Sequence, residues 1–172
     1  SYEIGNSYQS TPAVLMAFIK KYPNNANKSE IERLLIDSYI SSRNYKEALV
    51  LLEKNKSPEN KLAYQKVTFY RGLELYTDGK YQEAAALFGK SLDLQKDAKF
   101  FARATFWKGE TEYVLGDFKN AVLSYKQFQG LASAAATPEY KNSNYNTAYG
   151  YFKLKEYDEA ARFFQLQIDN TK

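Results

Sequence analysis

The chain contains neither cysteine nor histidine among its 172 residues. The absence of cysteine excludes disulfides, thiolate nucleophiles and cysteine-bound zinc. The absence of histidine excludes Ser-His-Asp triads, histidine metal sites and histidine general bases. Composition alone therefore removes several large classes of enzyme and metalloprotein.

Long apolar runs are also missing, since no stretch approaches the ~20 residues that a helix needs to cross a bilayer. Residues 1–10 lack the basic leader of a signal peptide, and residues 13–19 form a short amphipathic segment. We therefore expect no direct insertion into a membrane, and targeting signals leave the localisation open.

Charge is mixed along the chain. The 24 basic and 20 acidic residues give a net charge of +4, and the longest basic run is the pair Lys20-Lys21. A nucleic-acid surface requires basic residues clustered on one face. The pattern instead predicts a solvated surface of both signs and no nucleic-acid partner.

The chain does contain a fourfold repeat. An aromatic residue recurs at intervals of 36, 37 and 39, from position 45 to 81, 118 and 157. An alanine follows three residues after each aromatic residue, and a large apolar or aromatic residue stands four positions beyond that alanine. The last two positions are one helical turn apart and share a helix face. The pattern predicts a helix that starts near each repeated aromatic residue.

The segments between helices carry signals of their own. Gly79 and Gly116 are typical of a helix C-terminus that closes with a left-handed residue. Arg43 and Lys155 hold the same place in the outer copies, where the turn has to accommodate a side chain. A second pair of glycines, which would let a neighbouring helix approach closely, stands seven residues earlier at Gly72 and Gly109.

Periodicity and boundary signals predict nine helices and no strand, with helices at 12–21, 30–42, 45–55, 58–77, 80–94, 97–114, 117–130, 138–153 and 156–169. The predicted caps are Ser29, which opens a capping box, and the residues before two prolines, Ser57 and Thr137.

This pattern resembles the tetratricopeptide repeat, a helix-turn-helix unit with small, aromatic and alanine positions. Two central copies carry the resemblance best, through Gly72, Tyr76, Gly79, Tyr81, Ala84 and Phe88, and then Gly109, Tyr113, Gly116, Phe118, Ala121 and Tyr125. The resemblance covers about nine-tenths of the chain, although the repeats are longer than the usual ~34 residues.

The resemblance implies an all-α, right-handed superhelical solenoid of helix-turn-helix repeats. It divides one domain over 1–172 into a leading helix at 12–22 and repeats at about 29–57, 58–95, 96–136 and 137–170. The chain starts with half a repeat and ends after a second helix, so we expect a fragment of a longer repeat protein. Phe163 and Leu166 are then expected to be uncovered, and weak self-association through the ends follows.

Composition adds a second resemblance. Richness in lysine, asparagine and tyrosine without cysteine is similar to the envelope repeat proteins of AT-rich bacteria, including those similar to Tol-Pal-associated assembly factors. This resemblance implies a location in the bacterial periplasm or cell envelope.

In such repeats the first helices line the concave face. The spacing i, i+4, i+7 places nine residues there, namely Phe69, Leu73, Tyr76, Phe106, Glu110, Tyr113, Tyr145, Tyr149 and Phe152. Aromatic residues give large contact areas at low rotamer cost, as a groove for an extended peptide or an amphipathic helix requires. Simple packing between repeats explains the same spacing, and the sequence leaves both interpretations open.

One subclass of the family holds a carboxyl-terminal peptide with lysine, asparagine and arginine on this face. The matching positions here are Phe69, Leu73, Phe106 and Glu110, so we do not expect that mode of binding.

The predicted function is a protein- or peptide-binding scaffold without catalytic activity, cofactor or metal. Adjacent carboxylates such as Asp158 and Glu159 lie in the first turn of a helix, where they favour its dipole. No glycine-rich phosphate loop follows a strand. The alternative is an RNA-binding helical-repeat protein, which would need lysine or arginine along the inner face and salt-sensitive binding.

Overall fold

The computed structural model describes residues 11–170. The chain forms two compact units, Ser1–Ser57 and Pro58–Lys172, whose boundary coincides with a predicted repeat boundary. The sequence predicts one array over the whole chain.

The described residues form an all-α helical-repeat solenoid with no strand. The first unit contains α1 (Thr11–Lys21), α2 (Lys28–Ser41) and α3 (Tyr45–Lys54). The second unit contains α4 (Lys61–Thr77), α5 (Tyr81–Leu92), α6 (Ala98–Val114), α7 (Phe118–Gln129), α8 (Ser143–Lys153) and α9 (Tyr157–Asp169). Short 3-10 helices lie at Pro58–Asn60, Ala134–Ala136 and Pro138–Asn142.

These bounds agree with the predicted helices except at two starts. The segments predicted as helix from 58 and from 138 open with a 3-10 turn, and regular helix begins at Lys61 and Ser143. Proline fits the first helical turn but supplies no N–H. A tighter turn therefore precedes the α-helix at both places.

Helix capping also differs from the prediction. Ser29 lies inside α2, whose N-cap is Asn27, and the Thr137 hydroxyl donates to the Ala134 carbonyl oxygen instead of capping a helix. The caps with hydrogen bonds belong to aspartates. The Asp97 carboxylate accepts from two backbone N–H groups at 2.9 and 3.0 Å, and Asp117 caps α7 in the same way.

The turn after each first helix has the predicted left-handed residue. Gly79 and Gly116 have φ of 75° and 85°, and Arg43 and Lys155 have φ of 59° and 63°. At all four turns the next residue donates its N–H to the carbonyl five positions earlier, as Lys80 does to Leu75 at 2.8 Å. A helix end that is closed by backbone hydrogen bonds of this kind turns the chain sharply, so the second helix folds back on the first.

Helix pairs pack closely where the sequence placed small residues. A Cβ on Gly72 would lie 2.7 Å from a Phe88 ring carbon, and one on Gly109 would lie 2.9 Å from a Tyr125 ring carbon. Ala84 is fully buried in the first of these contacts. Only glycine therefore lets α4 meet α5, and α6 meet α7, at this distance.

The second unit has a continuous interior. One cluster joins α6 and α7 to the following turn through Ala102, Phe106, Ala121, Tyr125, Phe128 and Ala134. A second joins α7, α8 and α9 through Val122, Ala148, Tyr151, Ala160 and Phe163. Successive helix pairs thus share a core, which fixes the relative positions of the side chains on α6, α7 and α8.

The last helix pair corrects one expectation. Phe163 is only 6% exposed, because its ring stacks on Tyr151 with centroids 5.5 Å apart. Leu166 is 39% exposed, as expected.

Polar contacts connect successive repeats. The buried Gln65 side chain accepts from the Asp97 N–H at 2.8 Å and donates to the Asp97 carbonyl at 3.2 Å. Ser91 donates to the Gln65 backbone carbonyl at 2.9 Å. The loop before α6 is thereby tied to α4, and it carries the cap of α6.

Within residues 11–170, no helix is both long enough and apolar enough to span a membrane.

Candidate functional site

The structure separates the nine predicted contact residues into three groups. Phe69 and Phe106 are core residues with 0% and 5% exposure, so the prediction that they line a surface is wrong. The Phe69 ring contacts Phe88 and Phe100, and the Phe106 ring contacts two aromatic rings of α7. A first helix is flanked by several helices, and these cover most of its circumference.

A second group lies at the surface and does not line the pocket that the third group forms. Tyr76 is half-buried between the rings of Trp107 and Tyr81, each 5.2 Å away. Leu73 is also half-buried. Phe152 is 50% exposed and contacts a tyrosine that begins α9.

The third group lines one pocket. Glu110 and Tyr113 of α6 and Tyr145 and Tyr149 of α8 face a cavity of about 250 Å³. The sequence-based prediction missed two residues that complete the lining, Tyr125 of α7 and Asn146 of α8. We call the cavity formed by these six residues the Glu110 pocket.

The helical repeat explains how these residues meet. Glu110 and Tyr113 are three residues apart in α6, and Tyr145 and Tyr149 are four apart in α8, so each pair shares a helix face. Because α7 packs against both helices, the ring of Tyr125 extends between them. The stacking of repeats thus brings three helices to one cavity.

Glu110 is the centre of the polar contacts in this pocket. The Tyr125 hydroxyl donates to Glu110 Oε1 at 2.6 Å, and the Asn146 side-chain amide donates to the same oxygen at 2.6 Å. Among the described residues no basic side chain forms an ion pair with Glu110. Its carboxylate is therefore held by neutral donors alone.

Burial shifts the proton equilibria of these groups. It raises the pKa of the Glu110 carboxyl above its usual range, and the two hydrogen bonds oppose part of that shift. Burial and the negative charge of Glu110 together raise the pKa of Tyr113, and they raise that of Tyr125 further. Tyr113 and Tyr125 thus stay neutral hydroxyl donors through the physiological range.

Aromatic rings form the outer wall of the pocket. Tyr145 and Tyr149 are 47% and 38% exposed, with ring centroids 4.6 Å apart. The ring of Phe164 in α9 supports Tyr149 edge-on, with centroids 5.2 Å apart. Packing on one side holds these tyrosines in place, while part of each ring faces solvent.

The sequence contains a partial signal for the two lining residues that the prediction omits, Tyr125 and Asn146. Tyr125 occupies the large position after each repeated alanine, which indicates packing, and its ring is indeed 1% exposed. Only its hydroxyl reaches the cavity. Asn146 is adjacent to Tyr145, but nothing in its spacing indicates that its amide turns toward α6.

Neighbouring carboxylates have structural partners. Glu112, for which the sequence gives no partner, pairs with Lys108 and accepts from the Ser124 hydroxyl at 2.6 Å. Glu139 accepts from Arg103 at 2.8 Å and from the Trp107 indole at 3.0 Å. The contacts of Glu112 link α6 to α7, those of Glu139 link α6 to the next repeat, and neither residue lines the Glu110 pocket.

The described residues hold no group of three or more acidic side chains arranged to bind a metal ion. The first unit contains a pocket of its own, of about 330 Å³, between α2 and α3.

Comparison with known proteins agrees with this architecture. Residues 70–136 match the family model described as tetratricopeptide repeat. No curated protein matches the chain in sequence.

Crystal structures of MamA share the fold. One has a TM-score of 0.61 and 16% identity, and the similarity covers 92% of this chain and 87% of that one. A second has a TM-score of 0.60 and 17% identity, with 92% and 81% covered. A third, of MamA from AMB-1, has a TM-score of 0.57 and 22% identity, with 91% and 87% covered.

At these identities the likeness is one of fold. The two comparisons support the tetratricopeptide repeat for residues 70–136 and a helical-repeat solenoid as the fold.

Proposed function

We propose that the second unit is a protein- or peptide-binding scaffold module whose contact site is the Glu110 pocket. The observation that carries the proposal is the pair Tyr145 and Tyr149, which stay exposed beside a preformed cavity. Tyrosine is enriched at binding surfaces because it combines a large apolar ring with a hydroxyl donor. Tetratricopeptide repeats generally bind other proteins, which agrees with this use.

The second observation is that contacts within the fold hold the pocket in shape. The Phe164 ring of α9 packs against its wall, and hydrogen bonds from two other helices hold its one carboxylate. A preformed site loses little conformational entropy when a partner binds. The cavity of about 250 Å³ is smaller than the ~300–1,000 Å³ of typical small-molecule sites, so it fits one side chain of a partner.

Two tyrosine variants test the proposal. Peptides selected from a random display library on the intact chain provide the ligands, and fluorescence anisotropy provides their affinities. Tyr113→Ala and Tyr149→Ala are expected to weaken binding about tenfold or more, as truncation at a binding hot spot does. Tyr22→Ala is the control, because Tyr22 is similarly exposed but belongs to the first unit.

Thermal melts separate binding from packing. For a contact surface, the two pocket variants keep a melting temperature within a few degrees of the parent chain. If both variants unfold early instead, these tyrosines belong to the core and the proposal fails. Unchanged affinity in both variants would also overturn it.

RNA binding remains the alternative function. Three basic side chains on α4 and α6 are already held by carboxylates, in the pairs Arg71–Glu74, Arg103–Glu139 and Lys108–Glu112. An RNA-binding face needs free cations along the phosphate backbone. Affinity for single-stranded RNA that falls steeply with added salt would favour this alternative.

Two finer expectations stay predictions. Fractionation of the source cell tests the bacterial envelope location that the composition implies. Sedimentation equilibrium at rising concentration tests weak self-association, for which exposed apolar residues of α9 such as Leu166 and Ile168 are the candidates.

A further inference from the structure

Resting on the proposed function, we infer that the Glu110 pocket receives a basic side chain, a lysine or an arginine, of the protein partner. Three features of the pocket point to a cation. Its one carboxylate, Glu110, can accept further hydrogen bonds, none of the six lining residues is basic, and its walls are tyrosine rings.

The first feature is the spare bonding capacity of Glu110. Both hydrogen bonds in the structure go to Oε1, from Tyr125 and from Asn146. An ionised carboxylate has two oxygens and room for about four donors. Glu110 can therefore accept from an ammonium or a guanidinium group without giving up either bond.

The second feature is the absence of an internal counter-ion. Other carboxylates of the second unit are neutralised, as Glu112 is by Lys108 and Glu139 by Arg103. Glu110 is partly buried, yet no described basic side chain pairs with it. Buried charges are normally paired, because an unpaired one costs free energy.

A structural role alone would not require this charge. A glutamine at position 110 would accept the same two hydrogen bonds without an ionised group to bury. Burial raises the pKa of Glu110, which agrees with a charge that lacks compensation in the free protein. A partner's cation would supply that compensation on binding.

The third feature is the aromatic wall. Cations are attracted to the faces of aromatic rings, and cages of tyrosines hold ammonium groups in many binding sites. Tyr113, Tyr145 and Tyr149 surround the space in front of Glu110. The chain as a whole carries a net charge of +4, so attraction of a cation has to come from this pocket locally.

The test uses single-side-chain probes on the intact chain, observed by NMR titration. N-acetyl-lysine methylamide and N-acetyl-arginine methylamide are the cationic probes. The methylamide of N-acetyl-2-aminoheptanoic acid, whose side chain ends in a methyl group in place of the ammonium group, is the neutral isostere of the lysine probe. We expect the cationic probes to shift the signals of Tyr113, Asn146 and Tyr149, and to bind at least tenfold more tightly than the isostere. Equal affinity of all three probes would overturn the inference.

Two matched variants test whether the charge of Glu110 attracts the cationic probes. Glu110→Gln keeps the hydrogen-bond acceptor for Tyr125 and Asn146 and removes the charge, so the cationic probes should lose about tenfold or more in affinity. Glu112→Gln removes the same charge two residues away on the same helix, where Lys108 already neutralises it, and should leave probe affinity unchanged. Equal losses in both variants would show a general charge effect and refute the site.

Further readouts keep the outcomes distinct. Glu110→Gln should melt no lower than the parent chain, since it removes an uncompensated charge; a large fall in melting temperature assigns Glu110 a purely structural role. Tighter binding of choline than of the lysine probe would assign the pocket to a free quaternary amine and overturn the partner assignment. If library peptides bind through Tyr149 with no preference for lysine or arginine, this inference fails while the proposed function stands.

Discussion

At the residue scale, the structure separates aromatic residues that pack from those that face solvent. Phe69 and Tyr145 occupy corresponding first-helix positions in the sequence pattern, yet Phe69 is fully buried and Tyr145 is 47% exposed. The spacing i, i+4, i+7 identifies residues that share a helix face. It does not tell which neighbouring helix covers that face, and this information comes only from the packed repeats.

The effect of replacing a glycine on stability also depends on how the surrounding helices pack. Gly72→Ala should destabilise the chain by about 1–3 kcal/mol, because the added methyl overlaps the buried ring of Phe88 at 2.7 Å. Gly89→Ala is the control. It lies in α5 with no atom within 4 Å of the added methyl, so it should stabilise by up to ~1 kcal/mol through helix propensity.

Urea unfolding of both glycine variants provides the measurement. Opposite signs are expected for the two changes. Equal stabilities for the Gly72→Ala variant and the parent chain would mean that α4 and α5 do not approach each other as closely as described.

Tyrosine ionisation gives a pH prediction. Burial, then the charge of Glu110, raises the pKa of Tyr76 from its usual 10.0 to about 12. Between these values the folded state keeps a phenolic proton that the unfolded state loses. The contribution of Tyr76 to stability is therefore complete below pH 10 and falls as the pH rises toward 12.

Urea melts between about pH 9 and pH 11.5 test this sign. The parent chain should lose stability across that range, and Tyr76→Phe, which has no proton to lose, should lose less. Identical losses in the two proteins would contradict the raised pKa. The comparison is needed because lysines and other tyrosines titrate over the same range.

At the element scale, much of the fold follows from the sequence. Helix α7 was predicted at 117–130 and lies at Phe118–Gln129, because an aromatic start, a buried alanine one turn later and a final glycine all agree. The 3-10 starts at 58 and 138 were missed, since proline marks the first turn of either helix type. The nature of that turn depends on how the preceding linker reaches the next repeat.

The candidate site was harder to predict than the helices. Glu110, Tyr113, Tyr145 and Tyr149 were placed on one face by spacing, and the pocket contains all four. The spacing argument omits Tyr125 because it considers only the first helix of each pair, and Tyr125 lies in a second helix, α7. A pocket formed by three helices depends on their relative positions, and the period of a single helix contains no information about those.

The four left-handed turns yield an element-scale prediction. Lys155 adopts φ of 63°, where a side chain costs about 1–2 kcal/mol relative to the right-handed region, whereas the equivalent Gly116 adopts φ of 85° without that penalty. Lys155→Gly should therefore stabilise the chain by about 1 kcal/mol. Gly116→Ala is the opposite change at an equivalent turn and should destabilise by a similar amount.

Thermal melting of the Lys155→Gly and Gly116→Ala variants measures these changes in stability. The exposed position of Lys155 means that its replacement removes no buried contact. A Lys155→Gly variant that melts below the parent chain would indicate that glycine's extra freedom in the unfolded chain outweighs the relief of strain.

At the scale of the whole molecule, the two units differ in how much core they contain. Among described residues the first unit buries four apolar side chains, those of Leu35, Ile36, Ala48 and Leu52, and α1 buries none. The second unit contains three helix pairs, and clusters of buried residues join the last two of them. In repeat proteins about three stacked units are needed for a stable array, and the second unit reaches that number by itself.

Native-state hydrogen exchange on the intact chain tests the consequence. Amides of α2 and α3 should exchange through local openings of low free energy, while those of α6 and α7 should exchange only at the free energy of global unfolding.

The segment 58–172 alone should then keep the thermal transition of the intact chain and its affinity for selected peptides. Equal protection of α3 and α7, together with failure of segment 58–172 to fold, would show one cooperative array over the whole chain, as the sequence predicts. Because the Glu110 pocket lies wholly within α6, α7 and α8, separate cooperativity would let the first unit open without disturbing the binding site.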